Sequence, residues 1–204
     1  MKLLLFIFLL VTIPKSKNGV PFKTLTETER KYAISQLEES RNQLEAELEG
    51  LTPEQLSFKA TPQIWSIAEI TEHIGLAETG IGQIVAGTLQ QPADSSRRKE
   101  IKVTDTQVRL ILTNRTGKAT APEIIKPTGR FSDIKTAMAF FDKARDKNID
   151  LIKTTQEDLR NRYWQHPATG TIDLYQAVLL TAAHCERHIA QIKELKHNNL
   201  YSKQ

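Results

Sequence analysis

The chain of 204 residues has a single cysteine, Cys185, so no disulfide can form within it. If the protein is exported, its stability must therefore come from packing or from a metal. Beyond the N-terminus nothing is apolar for long enough to span a bilayer. No glycine-rich phosphate loop follows a strand, and no G-x-S-x-G occurs, so the usual signals of nucleotide binding and of a serine hydrolase are missing. Repeats, low-complexity stretches and a convincing strand are also missing. The formal charge of +4 includes Lys2, Lys15 and Lys17; without them 25 basic residues face 24 acidic ones, a balance of +1. That near-neutral body gives no support for nucleic-acid binding.

The N-terminus differs from the rest. Lys2 precedes the apolar run LLLFIFLLVTI, from Leu3 to Ile13, followed by Pro14 and a polar KSKNG. A positive start and a short apolar run read as a secretory signal peptide over residues 1–20, although no A-x-A site and no lipoprotein cysteine follows. Cleavage between Ser16 and Gly19 is expected, with an uncleaved N-terminal anchor as the alternative. The protein is thus expected to be exported or membrane-anchored, with residues 21–204 as its folded domain.

That domain reads as all-α. Thr26 and Glu29 form a capping box that opens a first helix ending near Glu49, with Gly50 as its stop. TPEQL, residues 52–56, suits one short helical turn. Ser66 and Glu69 form a second capping box, with Trp65 and Ile70 spaced as a hydrophobic staple. The second helix continues through His73, Ala77, Ile81 and Ile84. Residues 90–131 are a long connection, its middle part weakly periodic and its remainder punctuated by Pro and Gly. Ser132 is expected to cap the third helix, which runs to about Thr154. A fourth extends from about Ile172 to Lys196. The long connection lets helices two and three run in the same direction, whereas a short loop would force them antiparallel.

Histidine carries the chemistry. His184 and His188 are four residues apart, which puts both rings on one face of the fourth helix, one turn apart. Neutral imidazoles at that spacing can close on one divalent metal, given a third ligand from another helix. His73, on the apolar stripe of the second helix, is the best placed.

WSIAEITEH, the Pro-containing connection, EDL followed by HPATGTIDL, and H-x-x-x-H followed by IAQI occur in an order that resembles the DinB/YfiT-like superfamily. The resemblance covers residues 30–196. It implies a four-helix bundle of up-down-down-up topology with a long crossover between helices two and three, and frequent homodimers. It further implies that His73, His184 and His188 bind one divalent metal in an open cavity. Thiol-transferase activity is known in some members, but the leader sets this chain apart from the many cytoplasmic ones.

Three imidazoles leave a coordination position open, the arrangement of catalytic rather than structural sites. The resulting expectation is a metal-dependent hydrolase or transferase acting on an unknown small molecule. Zn²⁺ is the default, and Ni²⁺, Fe²⁺ and Mn²⁺ are compatible because three imidazoles select weakly. Glu69, one turn before His73, could orient it as an outer partner, although capping is its simpler role. No proton carrier stands out: Glu186 must point away from the histidines, His166 reads as part of a turn, and His197 as a helix-end cap. Cys185, rotated about 100° from His184, reads as a small buried residue. A non-catalytic metal- or ligand-binding bundle is the alternative, and a metal-free interaction protein stands behind it. The latter would leave three imidazoles in need of partners.

Overall fold

The computed structural model describes residues 24–117 and 120–201. The expected leader and its cleavage region lie outside them. The helices are α1 (Glu27–Leu48), α2 (Pro53–Ser57), α3 (Ile67–Leu89), α4 (Asp105–Thr113), α5 (Ile134–Thr154) and α6 (Leu174–Lys196). Short 3₁₀ turns occupy Ser95–Glu100 and Glu123–Ile125, and two strands, β1 (Tyr163–His166) and β2 (Gly170–Asp173), complete the elements among the described residues. No helix among the described residues is long and apolar enough to cross a membrane.

The four long helices, α1, α3, α5 and α6, form the bundle, and their side-chain contacts fix their directions. Along α3 and α5, Gly75 faces Phe140, Glu78 pairs with Arg145, and Gly82 faces Asn148, so the two run parallel. Along α1 and α6, Glu29 meets Tyr175, Ser40 meets Cys185, and Glu47 meets Lys196, so these are also parallel. Arg30 reaches Ile152 while Ser40 reaches Arg145, which sets α1 antiparallel to α5. The topology is up-down-down-up.

Local sequence accounts for the helix starts. Thr26 with Glu29, Ser66 with Glu69, and Thr104 with Gln107 form complete capping boxes. Two expected boundaries are corrected. Asp133, not Ser132, caps α5: its carboxylate accepts from Thr136 N at 2.8 Å, and Ser132 Oγ merely donates to it. The fourth helix starts at Leu174, because Asp173 and Gln176 form a capping box, and Ile172 belongs to a strand.

That strand is a further correction. Tyr163–His166 and Gly170–Asp173 pair antiparallel, with Trp164 opposite Ile172, so HPATG is a hairpin tip rather than a plain loop. Gly170 sits at φ +74°, a left-handed conformation that glycine adopts freely.

Two apolar clusters fill the interior. One, around Leu37, Val85, Ile152, Tyr175 and Val178, packs the end of the bundle where α6 begins. The other, around Leu44, Ile67, Ile70, Ile74, Phe141 and Ile189, packs the end where α3 begins. His73, His184 and His188 lie beside the second.

Candidate metal centre

His73 projects from the second turn of α3, and His184 and His188 from successive turns of α6. The ring centroids are 5.0 Å apart for His73 and His184, 4.6 Å for His73 and His188, and 4.5 Å for His184 and His188. One potential ligand nitrogen from each lies within 4.8 Å of the others. That bound admits the separation of about 3.4 Å expected for two nitrogens bonded tetrahedrally to one Zn²⁺ at about 2.1 Å. Carboxylates take no part in this group, so its donors are three neutral rings.

Hydrogen bonds decide which nitrogens are free. Nδ1 of His73 donates to the carbonyl of Ile125 at 2.8 Å, and Nδ1 of His188 to Oε1 of Gln191 at 2.9 Å. Each bond fixes its ring and leaves Nε2 unprotonated, as outer partners of metal-ligating histidines do. Trp65 packs against His73 with centroids 4.8 Å apart, a further contact on that ring.

Burial also keeps these rings neutral. It lowers the pKa of His73, against the opposing effect of the Ile125 carbonyl. It lowers His184 well below the usual value, helped by the neighbouring charges of His188 and His73. His188 is pushed down to about 3, mainly by burial and then by His73. All three are therefore neutral at pH 7, and no proton has to leave before a metal arrives.

The other expected residues take up different roles. Glu69 is occupied elsewhere: it caps α3 through Ser66 N at 2.8 Å and pairs with Lys59 at 2.9 Å. The His73 partner is the Ile125 carbonyl, and Glu69 keeps the capping role that was its simpler reading. Glu186 points away from the histidines, yet it is not simply solvated, since it accepts from Arg109 of α4 at 3.0 Å. His166 Nδ1 accepts from the backbone N–H groups of Ala168 and Thr169 at 3.3 Å, a turn-forming role. Burial lowers its pKa as well. Cys185 is fully buried against α1, its Sγ 3.6 Å from the Ser40 carbonyl.

Three further groups stand beside the histidines, and of these only Gln191 is legible in the sequence, on the same stripe as His184 and His188. Gln191 stands three residues after His188, a spacing that places it on the same face. The Ile125 carbonyl and Glu72 could not be found in this way. Both contacts span more than 50 residues, and one of them is made by backbone.

Comparison with known proteins agrees with this architecture. Residues 36–192 match the DinB superfamily. The uncharacterized protein YuaE of Bacillus subtilis (strain 168) is 26% identical over 163 residues, covering 80% of this chain and 96% of YuaE. In three dimensions the chain is similar to YfiT from Bacillus subtilis, a probable metal-dependent hydrolase with an unusual four-helix bundle topology. The TM-score is 0.57 at 18% identity, over 87% of this chain and 91% of YfiT. It is also similar to TT2238, a four-helix bundle protein, with a TM-score of 0.52 at 18% identity, over 81% of this chain and 98% of that one. On the extent of the family match and the shared bundle, the chain belongs to the DinB superfamily.

Proposed function

We propose that His73, His184 and His188 hold one divalent metal ion, and that the protein is a metal-dependent hydrolase or transferase. The observation that carries this reading is the convergence of three neutral imidazoles from α3 and α6, two of them oriented through Nδ1. The similarity to YfiT, described as a probable metal-dependent hydrolase, supports it.

Bound there, a divalent ion supplies Lewis acidity that polarises a carbonyl or lowers the pKa of a water, alcohol or thiol at the open position. The chain's own residues supply the remainder. Ile125 and Gln191 fix two rings, so little ligand reorganisation accompanies binding. Ile70 and Ile74, which flank His73 on α3, are buried in the adjoining apolar cluster. Zn²⁺ is the default ion, with Ni²⁺, Fe²⁺ and Mn²⁺ as alternatives. Within the same proposal the substrate is a small molecule, the protein dimerises, and the N-terminal apolar segment exports or anchors it.

The test is activity of metal-stripped and metal-reconstituted protein on a panel of ester, amide and thiol-transfer substrates. Turnover abolished by chelation, restored by one of these ions and absent from His184→Ala is expected. Turnover indifferent to chelation would contradict the proposal. Stoichiometric metal without turnover across the panel would favour a non-catalytic metal-binding bundle.

A further inference from the structure

The crossover from α3 to α5 is tied to α3 at two consecutive residues. His73 holds it through the Ile125 carbonyl. Glu72, only 3% exposed, holds it through both carboxylate oxygens. Oε1 accepts from Thr128 N at 2.8 Å, from Thr128 Oγ1 at 3.3 Å and from Arg130 Nε at 3.1 Å, while Oε2 accepts from Gly129 N at 2.9 Å. A buried carboxylate is costly unless its oxygens are satisfied. Here backbone N–H groups do much of that, so the carboxylate dictates where the backbone lies.

The link between the two anchors is stiff. Ile125 closes a 3₁₀ turn, Lys126 is extended at φ −68° and ψ 139°, and Pro127 follows with its ring-locked φ. Gly129, whose N–H donates to Glu72, takes a left-handed φ of +71° that redirects the chain just after that bond. A displacement at Thr128 is thus transmitted back to the Ile125 carbonyl rather than absorbed between them.

We propose that Glu72 is a positioning residue for the metal centre, because by gripping Thr128–Arg130 it places the carbonyl that orients His73. The proposal rests on the metal-binding reading above. The Nδ1–H bond to Ile125 keeps the His73 proton on Nδ1 and Nε2 aimed at the other two rings. Loosening the crossover frees that ring to rotate and to change tautomer. Loss of an outer partner of this kind typically weakens metal binding by 10–100-fold. Glu69, one turn earlier on the same helix, serves as the control, since its bonds stay within the α3 cap and Lys59.

The experiment measures Zn²⁺ affinity of the full chain by competition with a chromophoric chelator, for wild type, Glu72→Ala, Glu72→Gln and Glu69→Ala. The ¹⁵N shifts of the His73 ring, read in the metal-free state, report its tautomer. Glu72→Ala should bind Zn²⁺ about 10–100-fold more weakly and show a mixed His73 tautomer. Glu72→Gln, which keeps one acceptor oxygen, should fall between it and wild type. Should Glu72→Ala fail to fold, Glu72→Gln decides. Wild-type affinity and an unchanged His73 tautomer in a folded Glu72 variant would overturn the proposal, as would equal weakening in Glu69→Ala. Failure of the wild type to bind Zn²⁺, Ni²⁺, Fe²⁺ or Mn²⁺ would overturn the metal centre itself.

Discussion

At Cys185, one position along α6 from His184, burial decides the chemistry. The thiol faces α1, and burial pushes its pKa up to about 12, although Arg145 nearby favours the thiolate. A thiol that is neutral and enclosed is neither a ligand nor a nucleophile. Native protein is therefore expected to resist thiol-specific labelling, with full reaction only after denaturation; rapid labelling of the folded protein would contradict this. Glu69 gives the complementary case of a residue whose bonds stay at the start of its own helix, in the α3 cap and with Lys59. Glu69→Ala should lower stability by about 1 kcal/mol through loss of the capping box and leave metal affinity within about twofold. Denaturant titration beside metal titration separates the two effects.

Among the elements, the parallel α3–α5 pair depends on one buried polar cluster. Arg145 Nε and Nη2 grip Glu78 at 2.9 and 3.0 Å, Asn148 donates to Glu78 at 2.7 Å, and Arg145 Nη1 reaches Ser40 of α1 at 2.6 Å. The cluster joins three helices at one level and specifies their register. Removing one partner strands the other charge, so Arg145→Ala should cost about 3–5 kcal/mol in urea denaturation. Replacing the pair together, as Glu78→Leu with Arg145→Met, should cost much less. Equal losses in the two variants would contradict the assignment. None of this was readable from α3 and α5 separately, where Glu78 and Arg145 look like ordinary surface charges. The hairpin escaped for a different reason: four residues per strand are too few for an alternating pattern to register, and Trp164 is only half-buried. Capping boxes and the i, i+4 histidines are local, so they were legible with little error. The carbonyl of Ile125 and the grip of Glu72 come from chain segments folded back on each other, and no spacing encodes them.

For the whole molecule, the direction of the crossover follows from its length, and its path past α6 is set by Arg109, Arg115 and Arg187. Arg109 pairs with Glu186 at 3.0 Å, Arg115 with Glu194, and Arg187 donates to the carbonyls of Leu112 and Asn114 at the end of α4. The histidines also set how global stability responds to pH. In the metal-free fold the pKa values of His73, His184 and His188 lie below the unfolded value of 6.5. The unfolded chain then binds protons that the folded one does not. Their contribution to stability is complete above pH 6.5 and is lost as pH falls from there towards the folded values, about 3 for His188. Chelator-treated protein should lose about 1.4 kcal/mol per pH unit for each histidine that stays neutral in the folded state. Denaturant titrations at pH 7 and pH 5.5 check this, and equal stability at both would contradict it.

The most direct measurement is the metal content of protein purified without a histidine tag, beside His73→Ala and His184→Ala. About one equivalent of Zn, Ni, Fe or Mn in the wild type, lost from both variants while helicity is retained, is the predicted result. Metal-free wild-type protein that stays metal-free after reconstitution, or variants that keep a full equivalent, would contradict the three-histidine centre.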